Sequence, residues 1–143
     1  MKKSAIALAV LAVGTTLAFA SPEDDREHLM KAMGKSMGEL GKVAKGESPF
    51  EADAVLASLK ALNDNASKLD VAALFPEGSA SKGTSPKIWE NFDDFKAHAE
   101  KLKADVAAAV AAPAADAAAL GPQLGMIGKD CGGCHELYRI KKD

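Results

Sequence analysis

From residue 21 onward, apolar side chains return at alternating steps of three and four. The first stripe is Met30, Met33, Met37, Leu40 and Ala44, and the second is Val55, Leu59, Leu62, Ala66 and Leu69. The third is Phe92, Phe95, Ala99, Leu102 and Val106, and the fourth is Leu120, Leu124, Ile127, Cys131, Cys134 and Tyr138. Such steps keep side chains on one face of an α-helix, whereas a strand needs strict alternation, which no stretch sustains. Each predicted helix has roughly twenty residues and a length of about 30 Å. Ser21–Pro22, Ser48–Pro49 and Ser85–Pro86 stand ahead of the first three stripes. Serine can accept from the free N–H groups of a helix start, and proline at the first position loses no needed donor. Ser48 with Glu51 three residues on reads as a capping box. Gly46 ends the first helix, residues 76–84 read as a flexible loop, and Ala111, Ala112 and Pro113 end the third. Pro122 either opens the fourth helix after Gly121 or kinks one begun near Ala114, and the kink is the preferred reading. Four amphipathic helices with short or moderate connections imply an all-α fold, an antiparallel four-helix bundle.

The first twenty residues differ from the rest. Lys2 and Lys3 precede an apolar run from Ala5 to Val13, and Ala18-Phe19-Ala20 follows. A basic start, a short apolar run and an A-x-A site describe a secretory signal peptide; the run is too short and wrongly flanked for an anchor. Residues 1–20 are therefore expected to be removed, leaving 21–143 as one exported domain. The formal net charge of −2 becomes more acidic once Lys2 and Lys3 are gone. That argues against nucleic acid as a partner. No second apolar stretch could span a bilayer, so no stable membrane insertion is expected.

Both cysteines of the chain fall within Cys131-Gly132-Gly133-Cys134-His135. A disulfide across two residues would restrain little of the unfolded chain, so stability does not explain them. Cys-x-x-Cys-His is the attachment motif for haem c. On one helical turn the two thiols face the same side and can add to the two vinyl groups of one porphyrin, and the next residue offers an imidazole to the iron. Two other readings use the same thiols. A thioredoxin-type redox pair wants a βαβ setting, and the stripes are helical. A zinc site wants four ligands, and only His28 and His98 remain as histidines, neither paired with a cysteine.

A haem motif closing a four-helix chain resembles the cytochrome c-prime family, the class II c-type cytochromes. The resemblance runs through nearly all of residues 21–143. It rests on Cys131 to Arg139 at the end, on Ser85-Pro86-Lys87-Ile88-Trp89 before the third stripe, and on Val43-Ala44-Lys45-Gly46 closing the first helix. It implies a periplasmic protein with one covalent haem c, attached through Cys131 and Cys134 and with His135 as proximal iron ligand. The family divides on the sixth iron position. One branch fills it with a methionine from the first helix and looks like an electron carrier; the other leaves it open under an apolar cover and binds nitric oxide or carbon monoxide.

Leu29-Met30-Lys31 followed by Gly34 is similar to the ligand segment of the low-spin, methionine-ligated branch, and the matching methionine is Met30. Thioether sulfur is a soft ligand, and methionine–histidine ligation tends to raise the reduction potential. The alternative is a Met30 that fills core space and only covers the iron. Met33 and Met37 read as core, Met33 being the second candidate for the ligand, and Met126, on the haem-bearing helix itself, is a poor one. Arg26 lies one turn before Met30; the resemblance places it near a haem propionate, and the alternative is a solvated surface arginine. Trp89 and Phe92 read as core, and His28 and His98 as surface residues. The leading expectation is a single-electron carrier, not an enzyme, that serves periplasmic redox proteins. A five-coordinate gas-binding protein of the same fold is the alternative, and a thiol–disulfide oxidoreductase is a third. The resemblance also allows a homodimer through the first two helices.

Overall fold

A computed structural model describes residues 21–140. The expected signal peptide, residues 1–20, lies outside the described residues. There are four long helices, α1 (Pro22–Ala44), α2 (Ala52–Ser67), α5 (Phe92–Ala111) and α6 (Ala117–Tyr138), and two single-turn helices, α3 (Val71–Leu74) and α4 (Lys87–Glu90), lie between α2 and α5. α1 packs on α2 and α6, and α5 packs on α2 and α6, so the long helices close a ring around one core. The four-helix bundle expected from the stripes is the observed architecture, and the described residues form no strand beyond one isolated bridge, Thr84 to Arg139.

Local chemistry fixes the helix ends. The Ser21 hydroxyl accepts from the Asp24 N–H at 3.2 Å, and the Asp24 carboxylate accepts from the Ser21 N–H at 3.3 Å, a reciprocal cap with Pro22 at the first helical position. At the far end of α1, Gly46 takes φ +74°, a conformation that costs other residues dearly. That turn lets the N–H groups of Glu47 and Gly46 close onto the carbonyls of Lys42 and Val43. The same closure overturns the capping box expected at Ser48. The Ser48 N–H bonds back to Lys42, so the residue belongs to the end of α1, and α2 starts at Ala52 behind an extended Glu51 that makes no side-chain cap. The third helix is also not continuous. Ser85 accepts from the Lys87 N–H at 3.3 Å to start α4, and Asn91 breaks the path with φ −135° and ψ 47° before α5 begins.

Pro122 lies inside α6, as preferred, but the helix opens at Ala117 with Asp116 accepting from the Ala119 N–H at 2.8 Å. Ala114 stands outside it because Asp116 supplies a cap that no nearer residue offers. The core follows the stripes closely: Leu40, Leu59, Leu62, Val106, Leu120 and Ile127 are almost fully buried. Residues 76–84, read as flexible, are tied down at several points. Ser79 is held by Arg26, Ser85 donates its N–H to the Tyr138 carbonyl at 3.0 Å, and Ile140 donates its N–H to the Gly83 carbonyl at 3.1 Å. These bonds pin the loop against the end of α6, where the cysteines lie.

Candidate haem site

A cavity of about 670 Å³ opens between α1, the pinned loop and the C-terminal half of α6. Its size falls within the ~300–1,000 Å³ typical of small-molecule and cofactor sites. Met30 comes to it from α1, Phe95 and Ala99 from α5, and Cys134, His135 and Tyr138 from α6. Met30 and His135, eight dozen residues and more apart in the chain, thus line one cavity because α1 packs directly on α6. A smaller recess of about 310 Å³ is lined by His135, Gly132, Glu136 and Arg139, so His135 borders both spaces.

The donor set has the chemistry that haem c needs. Cys131 and Cys134 are half-buried and pack against the core, on the apolar face of α6 that also carries Leu120, Leu124 and Ile127. Burial raises both thiols; the charge of Asp130 adds to this at Cys131, and Cys131 and Asp94 add to it at Cys134, which is pushed up to about 11. Thiols that exchange disulfides need a lowered value, so this setting counts against the oxidoreductase reading. Burial, then the charge of Arg139, lowers His135, which keeps a neutral imidazole and an available lone pair. The motif, the half-buried face and the cavity fit a covalently held porphyrin.

Arg26 is buried, at 6% exposure, and lines the same cavity, so it is not a solvated surface arginine. It sits seven residues before Met33 and fourteen before Leu40, on the buried face of α1. Its guanidinium donates to the Leu74 carbonyl at 2.8 Å and to the hydroxyl and carbonyl of Ser79 at 3.1 and 3.0 Å, and stacks 4.9 Å from the centre of the Phe75 ring. It therefore joins α1, α3 and the loop at the cavity wall. Arg26→Ala strands buried acceptors and a stacked ring, and is expected to cost the holoprotein about 3 kcal/mol in chemical denaturation. Lysine should restore little of it, because an ammonium lacks the planar fork.

The other methionines separate as the stripes implied. Met33 is buried, Met37 packs partly buried against the core, and Met126 is 57% exposed. Trp89 is half-buried and donates its indole N–H to the Phe75 carbonyl at 3.1 Å, and Phe92 packs against Phe95 with ring centres 6.4 Å apart. His28 is exposed, as expected. His98 is not: its side chain is 27% exposed and faces Gly133, where a Cβ would stand 3.7 Å from the imidazole. The reason is that α5 packs directly on α6, which brings Gly133 beside the imidazole.

Sequence reasoning missed the polar contacts that surround these residues. Tyr138 donates its hydroxyl to Asp94, which also lies 3.6 Å from His98, and the Tyr138 ring meets Phe95 edge-on at 5.0 Å. The spacing of Asp94 and His98, one helical turn apart, was the available signal. The bond to Asp94, with burial adding, moves Tyr138 from its usual 10.0 to about 12. The neutral phenol is the stabilised form, so its contribution is complete below pH about 10 and is lost as the pH rises through about 12. Tyr138 is the only tyrosine. Ultraviolet titration therefore reads it alone, and Asp94→Asn should bring its ionisation back towards 10.

Comparison with known proteins agrees with this geometry. The family model described as Cytochrome C' matches residues 22–139. Cytochrome c-556 of Agrobacterium tumefaciens (strain apple 185) is 46% identical over 120 residues, covering 84% of this chain and 95% of that protein. Cytochrome c-554 of Cereibacter sphaeroides is 36% identical over 123 residues, covering 82% and 92%. Among solved structures, a cytochrome c' from Rhodobacter spheriodes superposes with a TM-score of 0.76 at 27% identity, covering 86% of this chain and all of that one. A nitric oxide complex of a variant cytochrome c prime from Alcaligenes xylosoxidans gives 0.72 at 30% identity, covering 86% and 99%. With its bundle, its terminal Cys-x-x-Cys-His and a family match from end to end of the described helices, the chain belongs to the cytochrome c' family of haem c proteins.

Proposed function

We propose that the chain is an exported, periplasmic carrier of single electrons, with Cys131 and Cys134 holding haem c by thioethers and with His135 and Met30 as its axial ligands. Haem c supplies one iron-centred electron that can be gained and lost reversibly. The observation that carries the reading is that Met30 of α1 and His135 of α6 line one cavity. A soft thioether and a neutral imidazole, both held by this chain, would favour the reduced iron and would leave no open position for a substrate. The protein therefore works by electron exchange with other periplasmic redox proteins, not as an enzyme. The relatives named cytochrome c-556 and c-554 support this branch.

The chain's own residues provide the setting. Phe75, Phe95 and Tyr138 form an edge-on aromatic wall, with ring centres 4.8 and 5.0 Å apart, that gives the cavity an apolar side for a porphyrin. Arg26 is assigned to the haem carboxylates: of five guanidinium N–H donors, three go to Leu74 and Ser79, and two are left for an anion. Residues 1–20 direct export and are removed. Among the described residues no helix is long and apolar enough to cross a membrane. The gas-binding alternative has one observation in its favour, the likeness to a cytochrome c prime solved with nitric oxide. A spectroelectrochemical titration tests the choice: a carrier gives one reversible one-electron wave with the same coordination in both states, whereas an open site changes coordination when gas is present.

A further inference from the structure

We infer that Asp130, held with Lys101 and Asp105 between α5 and α6, lowers the reduction potential of the attached haem. The inference rests on the haem attachment proposed above and concerns charges that the attachment motif does not include.

Asp130 directly precedes Cys131, and its side chain is only 6% exposed. One carboxylate oxygen accepts from the Lys101 ammonium at 2.6 Å, and the other is buried with no hydrogen-bond partner. Lys101 also donates to Asp105 at 2.7 Å. Two carboxylates against one ammonium leave one unit of negative charge. The outer members are wetter, with Lys101 61% and Asp105 31% exposed, so the dry part of the surplus is Asp130. Packing alone does not call for a charge there, since Leu124 and Ile127 on the same face of α6 are apolar core. A dry, half-satisfied carboxylate is costly to keep, and its field is weakly screened.

That field reaches the attachment residues. At the Cys131 thiol, burial is the main influence and the Asp130 charge the next. A fixed anion favours the more positive oxidation state. Oxidised haem iron carries one more positive charge than reduced iron, so Asp130 stabilises the oxidised form and pulls the potential down. Lys101 opposes it in part. The two axial ligands set a high range, and this triad trims it.

The test is a potentiometric titration of the matured holoprotein at pH 8. Asp130→Asn is nearly isosteric and removes only the charge; the ratio of oxidised to reduced protein at a fixed applied potential should fall about tenfold, about 59 mV for one electron. Lys101→Gln removes the compensating cation and should move the potential the other way. Opposite signs are what a charge effect demands, whereas lost packing would lower stability in both variants without reversing the potential shift. A change of less than twofold in Asp130→Asn, or a fall in its potential, overturns the inference. If Asp130→Asn does not accumulate, Lys101→Gln decides: a lower potential supports the inference, and an unchanged or higher one overturns it. Failure of the attachment itself would look different, as a wild-type protein without a covalent haem spectrum.

Discussion

Met30→Ala is expected to open the sixth iron position. The sharp spectrum of a six-coordinate iron should give way to broad bands, the reduction potential should fall, and carbon monoxide should bind at least about 100-fold more tightly. The potential falls because a soft thioether that favours reduced iron has gone. The affinity gain follows from populations: a site closed about 99% of the time masks its intrinsic affinity by about 100-fold. Alanine at this position cannot coordinate, and Met30 is only partly buried in the cavity wall, so the fold should tolerate the loss better than at a core leucine. Carbon monoxide titration of the wild type and variant measures the effect. If Met30 only covers the iron, the wild type already binds the gas and the variant changes affinity by a few-fold.

Replacing Cys131 and Cys134 together with serine is expected to do the greatest structural damage. The thioethers go, and haem becomes extractable by acid and organic solvent. A cavity of about 670 Å³ then stands to empty in the middle of the chain's functional half. Without haem, the apolar side chains that line it, Phe95, Ala99 and Tyr138 among them, lose their packing partner and face water. The double variant should therefore lose most cooperative unfolding by circular dichroism. Either single variant keeps one thioether and should retain haem and helix content with a lower melting temperature.

The bundle was legible because apolar spacing is a direct projection of helix geometry. Leu59, Val106, Leu120 and Ile127 lie on the apolar stripes and are core. The proposed attachment residues Cys131, Cys134 and His135 were legible because the Cys-x-x-Cys-His spacing is a chemical requirement. What the sequence hid depends on neighbours that only folding supplies. Ser48 looked like a cap, but its N–H was needed to close α1 behind Gly46. Arg26 left surface or site open until α3 and Ser79 were seen to surround its guanidinium. His98 reads as an exposed helical residue until α6 is seen to pack beside it. Asp130 gave no signal, since a carboxylate beside a motif looks the same whether it is wet or dry.

The most direct test of the account is the visible absorption spectrum of the matured wild-type protein, oxidised and reduced, before and after carbon monoxide. Sharp, split bands in the reduced protein that do not respond to the gas are expected, because in the proposed carrier Met30 and His135 fill both axial positions. Broad high-spin bands that sharpen on adding the gas would contradict the account, leaving Met30 as a cover and the protein as a gas-binding member of its family.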